Sequence, residues 1–203
     1  MRWMARLITL YLLYDIFLHR LPYARFSIDD GGPHVHVLGA RVLAKCGDIL
    51  LCRGRTIDSA SVSAWSCAYY SHVAVVGPDL YVYDITPVEH MRRMPLDTYV
   101  REYEGTVYWR RIKKSHEEWR DVGALEFRET MLPLLLSTLS ETRPINALTN
   151  FAETWYDPGR AYCSEYICRV MGLEAAGVSH PRNFAPGGKY DALYEPDILR
   201  LRV

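Results

Sequence analysis

The chain has 203 residues, a length typical of one domain that can bury a core without disulfides or metal ions. Lys plus Arg and Asp plus Glu both number 24, which gives a formal net charge of zero. This balance gives no electrostatic basis for a nucleic-acid partner, and we predict none.

The first 33 residues differ in character from the rest of the chain. Two arginines precede an apolar run at residues 7–14, and Asp15 interrupts this run before it reaches the ~20 residues of a membrane span. Apolar residues recur at steps of three and four, which predicts an apolar helical segment over 1–33 ahead of a domain over 34–203. We expect residues 1–26 to pack on their own domain or on a protein partner. The alternatives are a membrane-surface anchor and a signal or transit peptide.

Short apolar runs bounded by turn residues predict β-strands through the first half of the domain. These runs lie at residues 35–42, 47–52, 72–76, 80–85 and 105–112. The runs 72–76 and 80–85 are separated only by Gly77-Pro78-Asp79, so they should form an antiparallel hairpin.

Helices are predicted mainly in the second half. Residues 56–70 are rich in Ser and Ala and favour a short helix. Ser115-x-x-Glu118 matches a capping box for a helix that runs to about residue 139. Apolar spacing predicts a further helix over 162–173, which ends near Gly172. Strands followed by helices indicate an α+β fold with an antiparallel sheet.

The cysteines and histidines show no metal or disulfide pattern. The five cysteines include no Cys-x-x-Cys pair, and they are Cys46, Cys52, Cys67, Cys163 and Cys168. This odd number favours a reducing intracellular compartment, with a membrane-associated or organellar location left open. His34 and His36 alternate as in a strand and could share a metal ion, but no third ligand lies near them in the sequence. We therefore predict neither a metal site nor a cofactor.

Cys163 lies at the predicted start of the last helix. The N-terminus of a helix exposes unpaired N–H groups and a partial positive charge. This environment lowers the pKa of a thiol, and the N–H groups can stabilise an oxyanion. Taken alone, a free cysteine is more often a small buried apolar residue than a nucleophile.

His72 opens a strongly apolar strand, and its position at the strand end could bring the imidazole to a helix N-terminus. Asp84 lies in the next strand and approaches His72 if the two strands pair as a hairpin. A carboxylate there could orient the imidazole and stabilise its charged form. An Asp inside an apolar strand is unfavourable without a partner, which strengthens this hypothesis, although a lone His in such a place is more often structural.

These motifs, taken in order, resemble the permuted NlpC-type papain-like cysteine hydrolases, the YiiX/YaeF-like group of amidases and peptidases. They are Gly47-Asp48-Ile-Leu-Leu-Cys52, Ser71-His72-Val-Ala-Val-Val76, Leu80-Tyr-Val-Tyr-Asp84-Ile-Thr86 and Tyr162-Cys163-Ser164-Glu165. The resemblance implies a papain-like fold in which Cys163 is the nucleophile, His72 the base and Asp84 the acidic orienter. Family members usually carry Glu at the third position, so the shorter Asp84 is a departure.

The resemblance also implies a function. It points to a thiol hydrolase that cleaves an amide or ester bond through a thioester on Cys163, with a peptide, amide or lipid acyl substrate. Tyr162 and Ser164, beside the nucleophile, are the candidate substrate-binding residues. One alternative is a catalytically inactive domain that serves as a structural subunit of a larger assembly. Another is a membrane-peripheral binding module.

Several charged residues are expected to have structural roles. Asp48 is predicted to support a turn or strand start, and Glu165 to sit in the first helical turn, where it complements the helix dipole. The pairs Arg92-Arg93 and Arg110-Arg111 are predicted to lie on solvated faces.

Overall fold

The computed structural model describes residues 33–56, 59–60, 62–63, 68–116, 118–127, 159–173 and 180–203. The predictions for the N-terminal segment and for the continuation of the helix beyond Phe127 therefore lie outside the described residues, as does Cys67.

The described part of the chain contains nine strands and three α-helices with the bounds given below, and residues 59–60 and 62–63 are also helical. The strands are β1 (His34–His36), β2 (Ile49–Gly54), β3 (His72–Val76), β4 (Tyr81–Thr86), β5 (His90–Pro95), β6 (Gly105–Ile112), β7 (Glu126–Phe127), β8 (Arg160–Ala161) and β9 (Tyr194–Arg202). The α-helices are α1 (Val37–Leu43), α2 (Leu96–Glu102) and α3 (Cys163–Val170), and 3-10 turns occupy Pro181–Phe184 and Asp191–Leu193.

Seven of the strands form one mixed sheet in the order β1-β9-β6-β2-β3-β4-β5. Every neighbouring pair in it is antiparallel except β1 and β9, which run parallel. Strands β7 and β8 form a separate parallel pair. The predicted α+β class and the hairpin of β3 and β4 are confirmed, and the sheet is antiparallel apart from its β1 edge.

The central strands are buried on both faces, which is why β2 and β3 read as continuous apolar runs. On one face, Ile49, Leu51, Val73 and Val75 pack against α3. On the other face, Leu50, Cys52, Ala74 and Trp109 form a second core with residues of α1 and α2. The functional residues described below lie at the end of the sheet where β3 begins and the N-terminus of α3 arrives.

The strand predicted over 35–42 is mostly wrong. Strand β1 ends at His36, and the helix α1 begins at Val37. Nδ1 of His36 accepts a hydrogen bond from the N–H of Leu38 at 3.3 Å, which caps the helix. Val37 and Ala40 are the buried residues of α1, a spacing of three that fits a helix better than an alternating strand.

The helix predicted from Ser115 is also wrong over the residues described between 115 and 127, which contain no helix. The backbone N–H groups of this stretch bond to other parts of the fold. His116 N–H donates to Cys46 O at 2.9 Å, and Arg120 N–H donates to Val170 O at 2.8 Å. These long-range partners replace the local bonds that a capping box would begin.

Within the described ranges, no helix has the length and apolar character that crossing a bilayer requires.

Candidate active site

Cys163 is the first residue of α3, as predicted from the sequence. The chain enters the helix from β8, which is held by a backbone bond from Glu126 N–H to Gly159 O at 2.8 Å. Glu165 lies in the first turn, where its carboxylate accepts a bond from Tyr162 N–H at 3.4 Å. Glu165 thus occupies the first helical turn, as predicted. Cys163 is nearly covered, with 7% of its surface exposed.

The C-terminal end of α3 is closed by Gly172. Its φ of +60° is a left-handed conformation that favours glycine. Leu173 N–H donates to Cys168 O at 2.8 Å and Gly172 N–H donates to Arg169 O at 3.2 Å. This pair of bonds is a Schellman motif, so the predicted helix end at Gly172 is confirmed.

His72 is the first residue of β3 and pairs with Cys52 of β2. The turn before it is fixed because the hydroxyl of Ser71 accepts a bond from Gly54 N–H at 3.1 Å. Nε2 of His72 lies 3.0 Å from Oδ2 of Asp84. This contact occupies Nε2 and leaves Nδ1 as the other ring nitrogen, and Cys163 lies near enough to His72 to raise the pKa of the imidazole.

Asp84 is 1% exposed and has a second partner that the sequence analysis did not identify. Arg92 of β5 lies directly opposite Asp84 in the sheet. Its Nε donates to Oδ1 of Asp84 at 2.6 Å, and its Nη2 donates to Oδ2 at 3.0 Å. The prediction that Arg92 lies on a solvated face is therefore wrong. Its side chain is only 24% exposed and donates two hydrogen bonds to the carboxylate.

The electrostatics of the site favour a charged His72. Burial lowers the pKa of His72, but its interactions with Cys163 and with the Asp84 carboxylate outweigh burial and raise the pKa to about 10. Burial also opposes the charge on Asp84, yet the bonds from His72 and Arg92 hold the pKa of its carboxyl below the usual value. The arrangement therefore stabilises an ionised carboxylate next to an imidazolium.

Two tyrosines form an aromatic wall beside the imidazole. The ring of Tyr103 stacks on His72 with centroids 6.2 Å apart, and Tyr99 stacks on Tyr103 at 5.9 Å. The guanidinium of Arg92 lies over the ring of Tyr99 at 5.5 Å. Contacts thus run in a closed ring from His72 through Asp84, Arg92, Tyr99 and Tyr103 back to His72.

The two residues predicted to bind substrate flank Cys163 in different environments. Tyr162 is half-buried and its carbonyl accepts from Tyr166 N–H at 2.8 Å. Ser164 is buried beneath the helix start. Contact of Tyr162 and Ser164 with a substrate stays a prediction.

Asp48 has the structural role that was predicted. It is fully buried, and its carboxylate accepts three bonds, from Ile112 N–H at 2.7 Å, Lys45 N–H at 2.9 Å and Trp109 Nε1 at 3.0 Å. These bonds join the start of β2 to β6 at the end of the sheet opposite His72.

The prediction that Arg110 is solvated is wrong. Arg110 is fully buried, donates from Nη1 to Phe184 O at 2.7 Å and pairs with Asp191. Arg93, in contrast, is half-exposed and pairs with Asp79, as expected of a solvated face.

The sequence carried only weak signals for the residues that were missed. Arg92 lies in β5, whose sequence His-Met-Arg-Arg-Met-Pro has no apolar alternation of the kind that marks a strand. Its partner could be found only from the register of β4 and β5. Tyr103 follows α2 and reaches His72 through tertiary packing rather than through nearness in sequence.

No family model matches the chain, and no curated protein matches it. Among solved structures, the chain is similar to YiiX from Escherichia coli O157:H7, which is described as a metalloprotein. The two are 18% identical over 64% of this chain and 67% of that chain, with a TM-score of 0.37. This similarity is too low to carry an argument about function.

Within the described ranges, no group of three or more His, Cys, Asp or Glu side chains is arranged to hold a metal ion. Of the two histidines considered from the sequence, His36 caps α1 and His34 lies 2.9 Å from the guanidinium of Arg202.

Proposed function

We propose that this protein is a thiol hydrolase of papain-like type that cleaves an amide or ester bond. The observation that carries the proposal is the hydrogen bond between His72 and the buried Asp84 carboxylate, together with a cysteine at a helix N-terminus that raises the pKa of the same histidine. In this proposal Cys163 is the nucleophile, His72 is the general base and acid, and Asp84 orients the imidazole. The combination of nucleophile, base and orienting group is the general pattern of activated nucleophiles.

The proposed chemistry is acyl transfer in two steps. Nδ1 of His72 takes the thiol proton of Cys163, and the sulfur attacks the substrate carbonyl carbon to form a tetrahedral oxyanion. The backbone N–H of Cys163, in the first turn of α3, is the proposed donor to that oxyanion. The imidazolium then gives its proton to the leaving amine or alcohol, which leaves a thioester on Cys163. His72 next removes a proton from water, and the resulting hydroxide attacks the carbonyl carbon of the thioester. The acid product leaves, and the proton on His72 returns to the sulfur, which restores the thiol of Cys163.

The role of Asp84 follows from its single contact with the ring. An oxygen acceptor at Nε2 keeps the hydrogen on that nitrogen, so that Nδ1 is the ring nitrogen that receives and holds the thiol proton. When His72 becomes charged, the ionised carboxylate stabilises it. The shorter side chain of Asp84 relative to Glu does not prevent this contact, which is 3.0 Å long.

The substrate class in this proposal is a peptide, another amide or a lipid acyl group. Cys163 is 7% exposed, so a substrate carbonyl must approach through a narrow opening or displace neighbouring side chains. A protein partner or a membrane surface contacted through residues 1–26 remains part of the proposal.

Thiol alkylation tests the nucleophile without knowledge of the substrate. Cys46 is a matched internal control because its exposure of 9% is close to the 7% of Cys163, while burial and the nearby Asp48 raise its pKa. The native protein is treated briefly with iodoacetamide at about pH 6, and each cysteine is quantified by peptide mass spectrometry. We expect Cys163 to react at least about tenfold faster than Cys46, because only the thiolate is nucleophilic. The His72→Gln variant should lose that advantage.

Turnover is tested with p-nitrophenyl esters of increasing acyl length and with aminoacyl coumarin amides. Hydrolysis that is absent in Cys163→Ala identifies the bond that is cleaved. Equal alkylation of Cys163 and Cys46 would overturn the hydrolase proposal and favour the inactive structural subunit instead.

A further inference from the structure

We infer that Arg92 is a positioning residue of this site, which holds the Asp84 carboxylate so that one oxygen stays directed at Nε2 of His72. This inference rests on the proposed function, since it assigns a role within the same site. Arg92 does not touch the sulfur or the substrate carbonyl in this scheme. It acts through Asp84.

The geometry of the pair supports this role. Arg92 binds both carboxylate oxygens, at 2.6 Å to Oδ1 and 3.0 Å to Oδ2, while His72 binds Oδ2 alone. Two bonds from a planar guanidinium fix the plane of the carboxylate, which a single bond from His72 does not. The rotation of Asp84 about its last torsion is thereby restricted, and Oδ2 remains the acceptor for the imidazole.

Arg92 is itself held in place by two groups. Its Nη1 donates to Oε2 of Glu89 at 3.2 Å, and its guanidinium lies over the Tyr99 ring at 5.5 Å. Tyr99 stacks on Tyr103, which in turn stacks on His72. Both partners of Asp84 therefore pack against the same pair of aromatic rings.

Arg92 is also the permanent cation of the site. Among the described residues, the titratable groups that interact with Asp84 include His72, Cys52, Tyr99, Tyr103 and Tyr166. Burial raises the pKa of the Cys52 thiol and of these three phenols, so they stay neutral near pH 7. His72 changes its charge during the proposed reaction, whereas Arg92 does not. A fixed cation keeps Asp84 ionised in both protonation states of His72.

The adjacent arginine gives a matched control. Arg93 is the next residue of β5, so its side chain points to the opposite face of the sheet. It pairs with Asp79 at 2.6 Å and is half-exposed. Arg93→Gln is the same substitution on the same strand and removes the same positive charge, but Arg93 pairs with Asp79 rather than with Asp84.

The test is the rate of Cys163 alkylation by iodoacetamide as a function of pH. In this reaction the sulfur of Cys163 forms a bond to the methylene carbon and iodide leaves, after the thiol proton has passed to His72. The rate is measured in the full chain for the unmodified protein and for Arg92→Gln, Arg92→Lys and Arg93→Gln.

We expect Arg92→Gln to lower the maximal rate by about ten- to a hundredfold, since loss of orientation at a reacting group has effects of that size. The acid limb of its profile should move to higher pH, because Asp84 without Arg92 takes up a proton more readily. Arg92→Lys retains the positive charge but cannot donate two parallel hydrogen bonds to the carboxylate. The acid limb of the alkylation rate profile should therefore stay near its original pH, while the maximal rate falls. Arg93→Gln should match the unmodified protein.

A general loosening of the fold is distinguished by the internal cysteines. Cys52 and Cys168 are fully buried, so they become reactive only if the core opens. A positioning role leaves them protected in both Arg92 variants. If Arg92→Gln does not fold, the charge-retaining Arg92→Lys decides the question through its maximal rate.

Two outcomes separate the inference from the function on which it rests. If the unmodified Cys163 reacts fast and the Arg92 variants keep the same rate and the same profile, the inference is wrong and the hydrolase proposal stands. If Cys163 reacts no faster than Cys46 in the unmodified protein, the hydrolase proposal itself fails. If Cys52 or Cys168 becomes alkylated in Arg92→Lys while the alkylation rate of Cys163 falls, Arg92 only supports the fold.

Discussion

Nε2 of His72 lies 3.0 Å from Oδ2 of Asp84, although the two residues are not direct neighbours across the β3–β4 pair. The ladder pairs Val75 with Tyr83 and Val76 with Val82. Continued in the same register, it would place Asp84 opposite Ala74, two residues from His72. The contact is thus a diagonal one, which only a long or well-aimed side chain can make. The imidazole supplies the length and Arg92 holds the carboxylate at the required angle.

Asp84→Asn is expected to reduce Cys163 alkylation at about pH 6 by at least about a hundredfold, because an amide stabilises the wrong imidazole tautomer. The amide nitrogen of Asn can donate to Nε2, which moves the ring hydrogen to Nδ1 and removes the acceptor for the thiol proton. The measurement is the alkylation rate by peptide mass spectrometry, with folding checked by circular dichroism.

Asp79→Asn is the matched control for this variant. Asp79 also binds an arginine of β5, with Oδ2 accepting from Arg93 Nε at 2.6 Å, but it lies at the surface turn of the hairpin. Its replacement should leave the alkylation rate of Cys163 unchanged. An equal effect of the two substitutions would show that the carboxylate near His72 has no special role.

The stability of the fold should depend on pH through the same two residues. The pKa of folded His72 is raised from 6.5 to about 10, so its stabilisation is complete below pH 6.5 and is lost as the pH rises towards 10. The pKa of folded Asp84 is lowered from 3.8, so its stabilisation is present above pH 3.8 and is lost as the pH falls through its folded value.

Urea unfolding at a series of pH values measures this dependence. The difference in unfolding free energy between the unmodified protein and His72→Gln should shrink between pH 6.5 and 10. The difference from Asp84→Asn should shrink on the acid side. A difference that is constant across the alkaline range would mean that His72 has no raised pKa in the folded protein.

The part of the site that could be predicted is the part coded by local sequence. His72 and Asp84 are joined by a hairpin whose turn has four residues, 77–80, so the approach of their two strands follows from chain geometry alone. Cys163 could be placed because apolar spacing marks its helix and Gly172 marks the helix end. The pairing of Cys163 with His72 stays a prediction, and it came from the order of motifs in a resembling family, since no spacing links residues this far apart.

What could not be predicted depends on tertiary partners. Strand β5 has no apolar alternation, and it is held by its ladder to β4. Strand β9 contains Pro196 and several charges, yet it lies between β1 and β6, two strands it could meet only after the chain had folded. The Ser115 capping box failed because the N–H groups that follow it bond to Cys46, Val170 and other distant acceptors.

Asp48→Ala is expected to destabilise the fold without changing the chemistry of Cys163. The variant leaves three donors without their acceptor, buried ones on Ile112 and Trp109 and a part-buried one on Lys45. Each unsatisfied donor costs about 1–3 kcal/mol, so the loss of unfolding free energy should be at least about 3 kcal/mol. Urea unfolding measures the loss.

The pH profile of Cys163 alkylation, recorded well below the melting temperature, should keep its acid and alkaline limbs at the same pH, because Asp48 lies at the other end of the sheet. A shifted profile would contradict the structural role assigned to Asp48.

Gly172→Ala is expected to weaken the C-terminal end of α3 while leaving its N-terminal cysteine unchanged. A side chain at the φ of +60° is strained by about 1 kcal/mol. A Cβ at this position would also lie 2.7 Å from the guanidinium of Arg120, which has to move away.

Gly123→Ala separates the two causes. Gly123 has a similar φ of +66°, but a Cβ there meets no atom within 4 Å. Both variants should therefore lose the strain energy, and Gly172→Ala should lose more, as measured by urea unfolding. The Cys163 alkylation rate should be the same in both, since the first turn of α3 is held by Glu165 and by β8 rather than by the Schellman motif. A lowered alkylation rate in Gly172→Ala alone would show that the end of the helix also sets the position of its beginning.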